Sequence, residues 1–287
     1  MRPYEGLLTA MITPFAADGS VDEAGAVAIG RHLLANGSDG LVVGGTTGEA
    51  ATMTDEEHVG LVRTLVEELG SEAIVCAGAG SNDTRHAAHL TEAVVEAGAH
   101  SVLSVTPYYN KPNRRGVRRH YEEVARAAGG TPVILYNIPG RTALNLPPDQ
   151  LAELAQIDGI VAVKQANADE IQPIDGLEVL AGNDDDLADV LEMGGAGGIS
   201  VASHVVGNEM KRLFTEPDRR REIDERLKEV YAVMFITSSP APVKAALRMI
   251  GQDPGTLRLP MVECDDAELA EIRGVLERHG LLETTAA

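Results

Sequence analysis

Short apolar runs alternate with longer stretches of helical period along most of the chain. The apolar runs, rich in Val, Ile and Leu, are GLLTAMITP (6–14), GLVVGGTT (40–47), AIVCAGAG (73–80), SVLSVTPYY (101–109), TPVILYNIP (131–139), GIVAVKQA (159–166), LEVLAGND (177–184) and GGISVAS (197–203). Continuous apolar runs of about 4–8 residues suit strands covered on both faces, as in parallel sheets. Between them, residues 54–69 open on Thr54 as N-cap and place Glu57 at the third helical position, which predicts a capping box. Residues 83–97 start at Asp83 and stop at Gly98, and Pro147-Pro148 start a helix over 147–156. Eight strand-then-helix units without a break predict an α/β fold, a (β/α)8 TIM barrel. The runner-up, a doubly wound open sheet, usually carries a GxGxxG turn after its first strand, and none is present.

Beyond the eighth run, residues 204–250 and 265–280 read as helices without strands. The expected division is a barrel over 1–213 and a C-terminal helical extension over 214–287, packed on the barrel. Proline- and glycine-containing linkers around 238–242 and 251–260 separate the parts of that extension.

A length of 287 residues fits one such barrel. With aromatics at 3% and no tryptophan, its core must be aliphatic. Twenty-four basic against 44 acidic residues leave a net charge of −20, which argues against a nucleic-acid backbone or an anionic membrane as main partner. The first 15 residues lack the apolar core of a signal peptide, and nothing is long and apolar enough to span a bilayer; the expected location is cytoplasmic. Cys76 and Cys264 lie far apart with no Cys/His zinc spacing, and Cys76 reads as a buried reduced thiol. Asn82-Asp83-Thr84 is read as a chance glycosylation match.

In such a barrel the chemistry belongs at the C-terminal ends of the strands. Those ends offer Gly44-Gly45-Thr46-Thr47-Gly48-Glu49, Thr106-Pro107-Tyr108-Tyr109-Asn110, Tyr136 to Thr142 with Arg141, Lys164, Gly182-Asn183-Asp184 and Ile199-Ser200. Lys164 is the sharpest feature, because it alone among five lysines interrupts a strand. Lys211 and Lys228 lie on charged helices, Lys111 in a basic loop, and Lys244 opens an apolar helix from which it is expected to snorkel. By period two, Lys164 shares a face with Ala162 and opposes Val161 and Val163, inside a strand covered on both sides. Desolvation there favours the neutral amine, which attacks carbonyls to form Schiff bases. The competing reading is a buried ion pair.

Tyr109 and Tyr136 stand at strand ends, where a phenol chained to a threonine hydroxyl can pass protons. Their alternative is packing at the barrel rim. Arg141 suits a substrate carboxylate or a surface salt bridge, and Thr46 and Thr47 suit an anion or simple turn chemistry. His86 and His89, three apart, read as a solvated helix face and not a metal site; the Arg219–Arg221 run reads likewise as solvated. GGTTGE lacks the Lys-Ser/Thr of a P-loop. A hydrolase pairing Glu49 with Asp184 or Asp185 is a further alternative, but it leaves Lys164 unexplained.

The segments GTTGE (45–49), TPYYNKP (106–112), YNIPGRT (136–142), Lys164 in VKQA, PAPVKAAL (240–247) and RLP (258–260) together resemble the dihydrodipicolinate synthase / N-acetylneuraminate lyase family over nearly the whole chain. The resemblance implies a class I aldolase without a separate cofactor, in which Lys164 forms a Schiff base with pyruvate. The enamine then adds to L-aspartate 4-semialdehyde, giving 4-hydroxytetrahydrodipicolinate on the route to diaminopimelate and lysine. It implies that Tyr136 donates and accepts protons, with Thr46 and Tyr109 completing the relay. Tyr109 would reach across a dimer interface in a dimer of dimers. It further implies Thr47 at the pyruvate carboxylate, Arg141 at the semialdehyde carboxylate, and Gly182 and Ile199 as backbone lining of the pyruvate site. Thr46 and Arg141 favour the synthase branch, because the lyases resemble GSTGE and lack that arginine. The alternatives are another pyruvate-dependent class I aldolase, a sugar-acid dehydratase, or a non-enzymatic barrel, against which the intact set of residues speaks.

The chain departs from the family pattern at Gln165 for glutamate, Ala168 for glycine and Ser239 for asparagine. Gln165, beside the Schiff-base lysine, puts the pH optimum in question. In the family's lysine-feedback site His58, Asn82 and Tyr108 fit, but Ala50 replaces a serine and His86 a glutamate. The expectation is weak or absent inhibition by lysine.

Overall fold

A computed structural model of the chain describes residues 2–282. Eight parallel strands close into one barrel in chain order: β1 (Gly6–Ala10), β2 (Gly40–Val43), β3 (Ile74–Gly78), β4 (Ser101–Val105), β5 (Val133–Asn137), β6 (Ile160–Gln165), β7 (Glu178–Ala181) and β8 (Gly197–Ser200). Each predicted apolar run contains one strand. The barrel closes where Leu8 pairs with Ile199 and Thr9 with Ser200, and Thr9 Oγ1 meets Ser203 Oγ at 2.7 Å. Strand residues such as Leu41, Val75, Val102, Ile134 and Val163 are fully buried, so the core is aliphatic as the composition requires.

The outer ring holds α1 (Glu23–Ala35), α2 (Asp55–Leu69), α3 (Thr84–Glu96), α4 (Arg114–Ala127), the single turn α5 (Pro139–Thr142), α6 (Pro148–Leu154), α7 (Leu187–Glu192) and α8 (Ser203–Thr215). The capping box of α2 is formed: Glu57 N–H donates to Thr54 Oγ1 at 3.3 Å and Thr54 N–H to the Glu57 carboxylate at 3.0 Å. Asp83 caps α3, accepting from Arg85 N–H, and Gly98 at φ 95° follows that helix's last turn.

The strand-then-helix alternation does break once, contrary to the sequence expectation. Between β6 and β7 there is only a 3₁₀ turn, Ala168–Glu170. Pro173 denies that segment a helical N–H, and Gly176 sits at φ 77°. After α8 come α9 (Arg220–Val233), α10 (Ala241–Met249) and α11 (Asp266–Arg278). The helices expected over 204–250 number three, α8 to α10, with residues 238–240 linking α9 to α10 as expected, and residue 213 falls inside α8. Lys244, on α10, does not snorkel as expected: it is 0% exposed. No helix among the described residues is long and apolar enough to cross a membrane. Both cysteines are unpaired and buried, and burial pushes the Cys76 thiol up to about 12, so it is an inert packing group.

His204, wholly buried beside the closure seam, uses both ring nitrogens in its neutral form. Nδ1–H donates to Val201 O at 2.8 Å and Nε2 accepts from Ile12 N–H at 3.2 Å. Burial holds its value down at about 4 against an ordinary 6.5. The unfolded chain binds a proton near pH 6.5 that the folded chain refuses until about pH 4, so stability is complete above 6.5 and declines toward 4. Between about pH 7 and 5, His204→Gln should lose less stability than the wild type, read from urea midpoints, on top of a shared background in which His58 and His120 act in the same sense as His204 and Asp186 and Asp224 oppose it. Equal slopes in wild type and variant would remove His204 as the cause.

Candidate active site

At the C-terminal ends of the strands opens a cleft of about 580 Å³, bordered by Thr46, Thr47, Tyr136, Arg141, Thr142 and Lys164 among others. Parallel pairing sets Lys164 on β6 opposite Tyr136 on β5 and Leu180 on β7. Side chains in register share a face, so the amine and the phenol emerge together. Lys164 Nζ lies 4.4 Å from the centroid of the Tyr136 ring, with the two residues 5% and 7% exposed. The lysines that do form ion pairs are Lys211, Lys228 and Lys244. Lys164 has none among the described residues, which removes the buried-ion-pair reading.

The turn after β2 brings the two threonines to the cleft. Gly44 opens it at φ 65°, where a Cβ would come within 2.1 Å of the His58 ring, so no larger residue fits without displacing that histidine. Thr47 is buried and Thr46 exposed at the cleft. Arg141 sits in α5, whose opening Pro139 pre-sets the turn just past β5. It borders the cleft, is exposed, and carries no ion pair among the described residues. The surface-salt-bridge reading therefore has no partner.

Three expected residues do not border this cleft. Tyr109, at φ 70°, is 89% exposed on the loop after β4, whereas Tyr108 beside it does border the cleft. Gly182 follows β7 and packs onto β6, its N–H donating to Gln165 O at 2.7 Å. Ile199 is buried in β8 at 1% exposure. A single chain thus gathers Lys164, Tyr136, Thr46, Thr47 and Arg141 and leaves Tyr109 outside.

The paired-carboxylate alternative fails on geometry. Glu49 Oε1 accepts from Lys244 Nζ at 2.7 Å and Oε2 from Arg258 N–H at 3.1 Å. Asp184 accepts from Val201 N–H at 3.0 Å and Ala202 N–H at 2.8 Å, and burial pushes its carboxyl up. Neither is free to act on a sugar. Both roles join segments remote in sequence, and no local pattern announces them.

The same cleft extends along Ala50, Asp55, His58, Ser81 and His86. His58 is buried with Nε2 unpartnered, and burial lowers its value. His86 is exposed but not merely a solvated helix face. Its Nε2 meets Asp55 Oδ1 at 2.9 Å and its Nδ1 meets Ser81 Oγ at 3.1 Å. His89 is exposed. Gln165 turns away from Lys164, its Oε1 accepting from Asn137 Nδ2 at 2.9 Å and Asn167 N–H at 3.2 Å. Ser239 borders the cleft, its Oγ buried without a partner.

Residues 3–279 match the model of the Dihydrodipicolinate synthetase family. The 4-hydroxy-tetrahydrodipicolinate synthase of Thermosynechococcus vestitus is 40% identical over 296 aligned positions, covering 99% of this chain and 100% of the relative. The dihydrodipicolinate synthase of Cyanidioschyzon merolae, solved with lysine bound, superposes with a TM-score of 0.92 at 34% identity, over 98% of this chain and 100% of that one. The chloride-inhibited enzyme of Acinetobacter baumannii, solved complexed with pyruvate, superposes with a TM-score of 0.92 at 31% identity, over 97% and 99%. A match of this extent in sequence and in fold leaves one assignment: the chain belongs to the dihydrodipicolinate synthetase family.

Proposed function

We propose that this chain condenses pyruvate with L-aspartate 4-semialdehyde to 4-hydroxytetrahydrodipicolinate, as a class I aldolase. The observation that carries the reading is Lys164, buried, in no ion pair among the described residues and set against the Tyr136 ring. Its neutral amine attacks the ketone carbon of pyruvate; the carbinolamine loses water to give the imine. Loss of a C3 proton gives the enamine, whose carbon bonds to the aldehyde carbon as that oxygen takes up a proton. The semialdehyde's own amine then displaces Lys164 and closes the ring.

Tyr136 is assigned the proton transfers, together with Thr46 and with Tyr109 supplied by a second copy. The exposure of Tyr109 supports that last assignment; the dimer of dimers follows from the family resemblance alone. Thr47 is assigned to the pyruvate carboxylate, with Gly182 and Ile199 as neighbouring backbone. The only covalent group the reaction needs is then the lysine itself. We assign residues 1–213 to the catalytic barrel and 214–287 to the extension, and the protein to the cytoplasm.

The test is product formation from the two substrates, coupled to dihydrodipicolinate reductase and NADPH oxidation. A folded sample that does not turn over would sink this reading, and a panel of other aldehydes would follow.

Arg141 is assigned to the carboxylate of the aldehyde. A charge-assisted contact to a guanidinium contributes roughly 1.5–3 kcal/mol. Arg141→Ala should therefore raise the KM for L-aspartate 4-semialdehyde about 10- to 100-fold, while borohydride trapping of pyruvate stays unchanged. Equal effects on both substrates would refute the assignment.

Where the resemblance expects a glutamate for an effector's ammonium, this cleft has His86, and the carboxylate beside it, Asp55, is engaged by that imidazole. Millimolar lysine should leave the rate nearly unchanged. Strong inhibition below that concentration would overturn the expectation.

A further inference from the structure

We infer that Glu49 and Lys244 are positioning residues that set the Thr46-Thr47 turn from the C-terminal extension. The inference rests on the proposed reading of that turn. Glu49 holds a left-handed backbone, φ 56° and ψ 33°, which a residue with a side chain adopts only against steric resistance. Something must hold it there. Its carboxylate is buried to 1% exposure and accepts from two groups that both come from beyond the barrel: Lys244 Nζ on α10 and Arg258 N–H.

Lys244 has no hydrogen left over. Its other two donors go to Thr13 O at 2.8 Å and Thr256 O at 2.6 Å, and Thr13 Oγ1 in turn donates to Gly48 O at 2.7 Å. The Arg258 guanidinium grips the far side of the turn, donating to Thr52 O at 2.8 Å and to both oxygens of Glu57 at 2.8 and 2.5 Å. Phe15 lies under both cations, 4.9 Å from Lys244 Nζ and 4.2 Å from Arg258 Cζ. Glu49 and Thr52 are thus tied directly to a strap of C-terminal chain, and Gly48 is tied to it through Thr13.

Magnitudes decide what this contact is for. Burying a carboxylate and an ammonium costs several kcal/mol each, so a buried ion pair contributes little net stability against a well-packed apolar pair. Its distinguishing property is direction: two fixed donors hold one carboxylate, and so one turn, in one orientation. A shift of about 1 Å in a substrate-positioning group can cost about 100-fold in rate.

The experiment compares Glu49→Gln, Lys244→Met, the double variant and Arg258→Lys in the full chain. It reads KM for pyruvate, kcat, and the yield of borohydride-trapped pyruvate per chain. We expect a rise of about 10- to 100-fold in KM for pyruvate together with a fall in kcat, while trapping at saturating pyruvate remains complete because Lys164 stands on a different strand. Arg258→Lys keeps the charge but loses the fork on Glu57, and should move the same constants less. Folded variants with wild-type KM and kcat would overturn the inference. So would losses that vanish once rates are divided by trapped sites, since that marks partial unfolding alone. If Lys244→Met does not fold, Glu49→Gln and Arg258→Lys carry the same test. A wild type that traps pyruvate yet makes no product would fail the proposed substrate, and pyruvate dependence of trapping would still report on the clamp.

Discussion

Lys164→Ala leaves a folded barrel with no turnover and no covalent adduct. The substitution removes the only group that can open the reaction, since the cleft holds no second lysine: of the other four, Lys244 is spent on Glu49, and Lys111, Lys211 and Lys228 do not border it. Folding should survive, because alanine matches Ala162 two positions back on the same face and leaves the outward packing of Val161 and Val163 untouched. Activity in the coupled assay should drop to the uncatalysed background, and mass spectrometry after pyruvate and borohydride should show the bare chain. Lys164→Arg should be as inactive, since a guanidinium stays charged and cannot serve as the amine. A trapped adduct in Lys164→Ala would place the chemistry on another residue.

Tyr136→Phe separates the phenol from its ring. The ring that faces Lys164 Nζ at 4.4 Å stays, so the setting of the lysine is preserved. Only the proton-transferring hydroxyl goes. Positioned general acid–base groups contribute about 10²–10⁴-fold, so kcat should fall by that range, equivalent to roughly 3–5 kcal/mol of transition-state stabilisation. KM for pyruvate should move little, because its carboxylate is assigned to Thr47. Trapping should still occur, but more slowly. A loss below about fivefold would strip Tyr136 of its role.

The parts of this protein that could be read in advance are those written in short stretches of chain. Each barrel strand is a contiguous apolar run, and the Thr54–Glu57 box and the Asp83 cap depend on residues three or fewer positions apart. Lys164 was legible because a cation in an apolar strand contradicts its surroundings. Between β6 and β7 no helix forms, because Pro173 and Gly176 outweigh a general rhythm of strand and helix. Lys244 is a different case. Its sequence neighbours are apolar, so an exit to solvent looked natural, but its partner Glu49 lies 195 positions away. The duties of Asp184 and His204 are equally remote, and only the closed barrel brings them to their partners.

Closure of the barrel also governs the order of events during synthesis. The Thr9–Ser203 contact joins residues 194 positions apart. Until β8 leaves the ribosome, β1 and β7 present unpaired edges, each a template for strands of another chain. Contacts of such high order form late and slowly, since loop entropy must be surrendered before the pairing repays it. The nascent chain is therefore most prone to aggregate after seven strands and before the eighth, a window in which a chaperone able to shield an open sheet would raise the yield most.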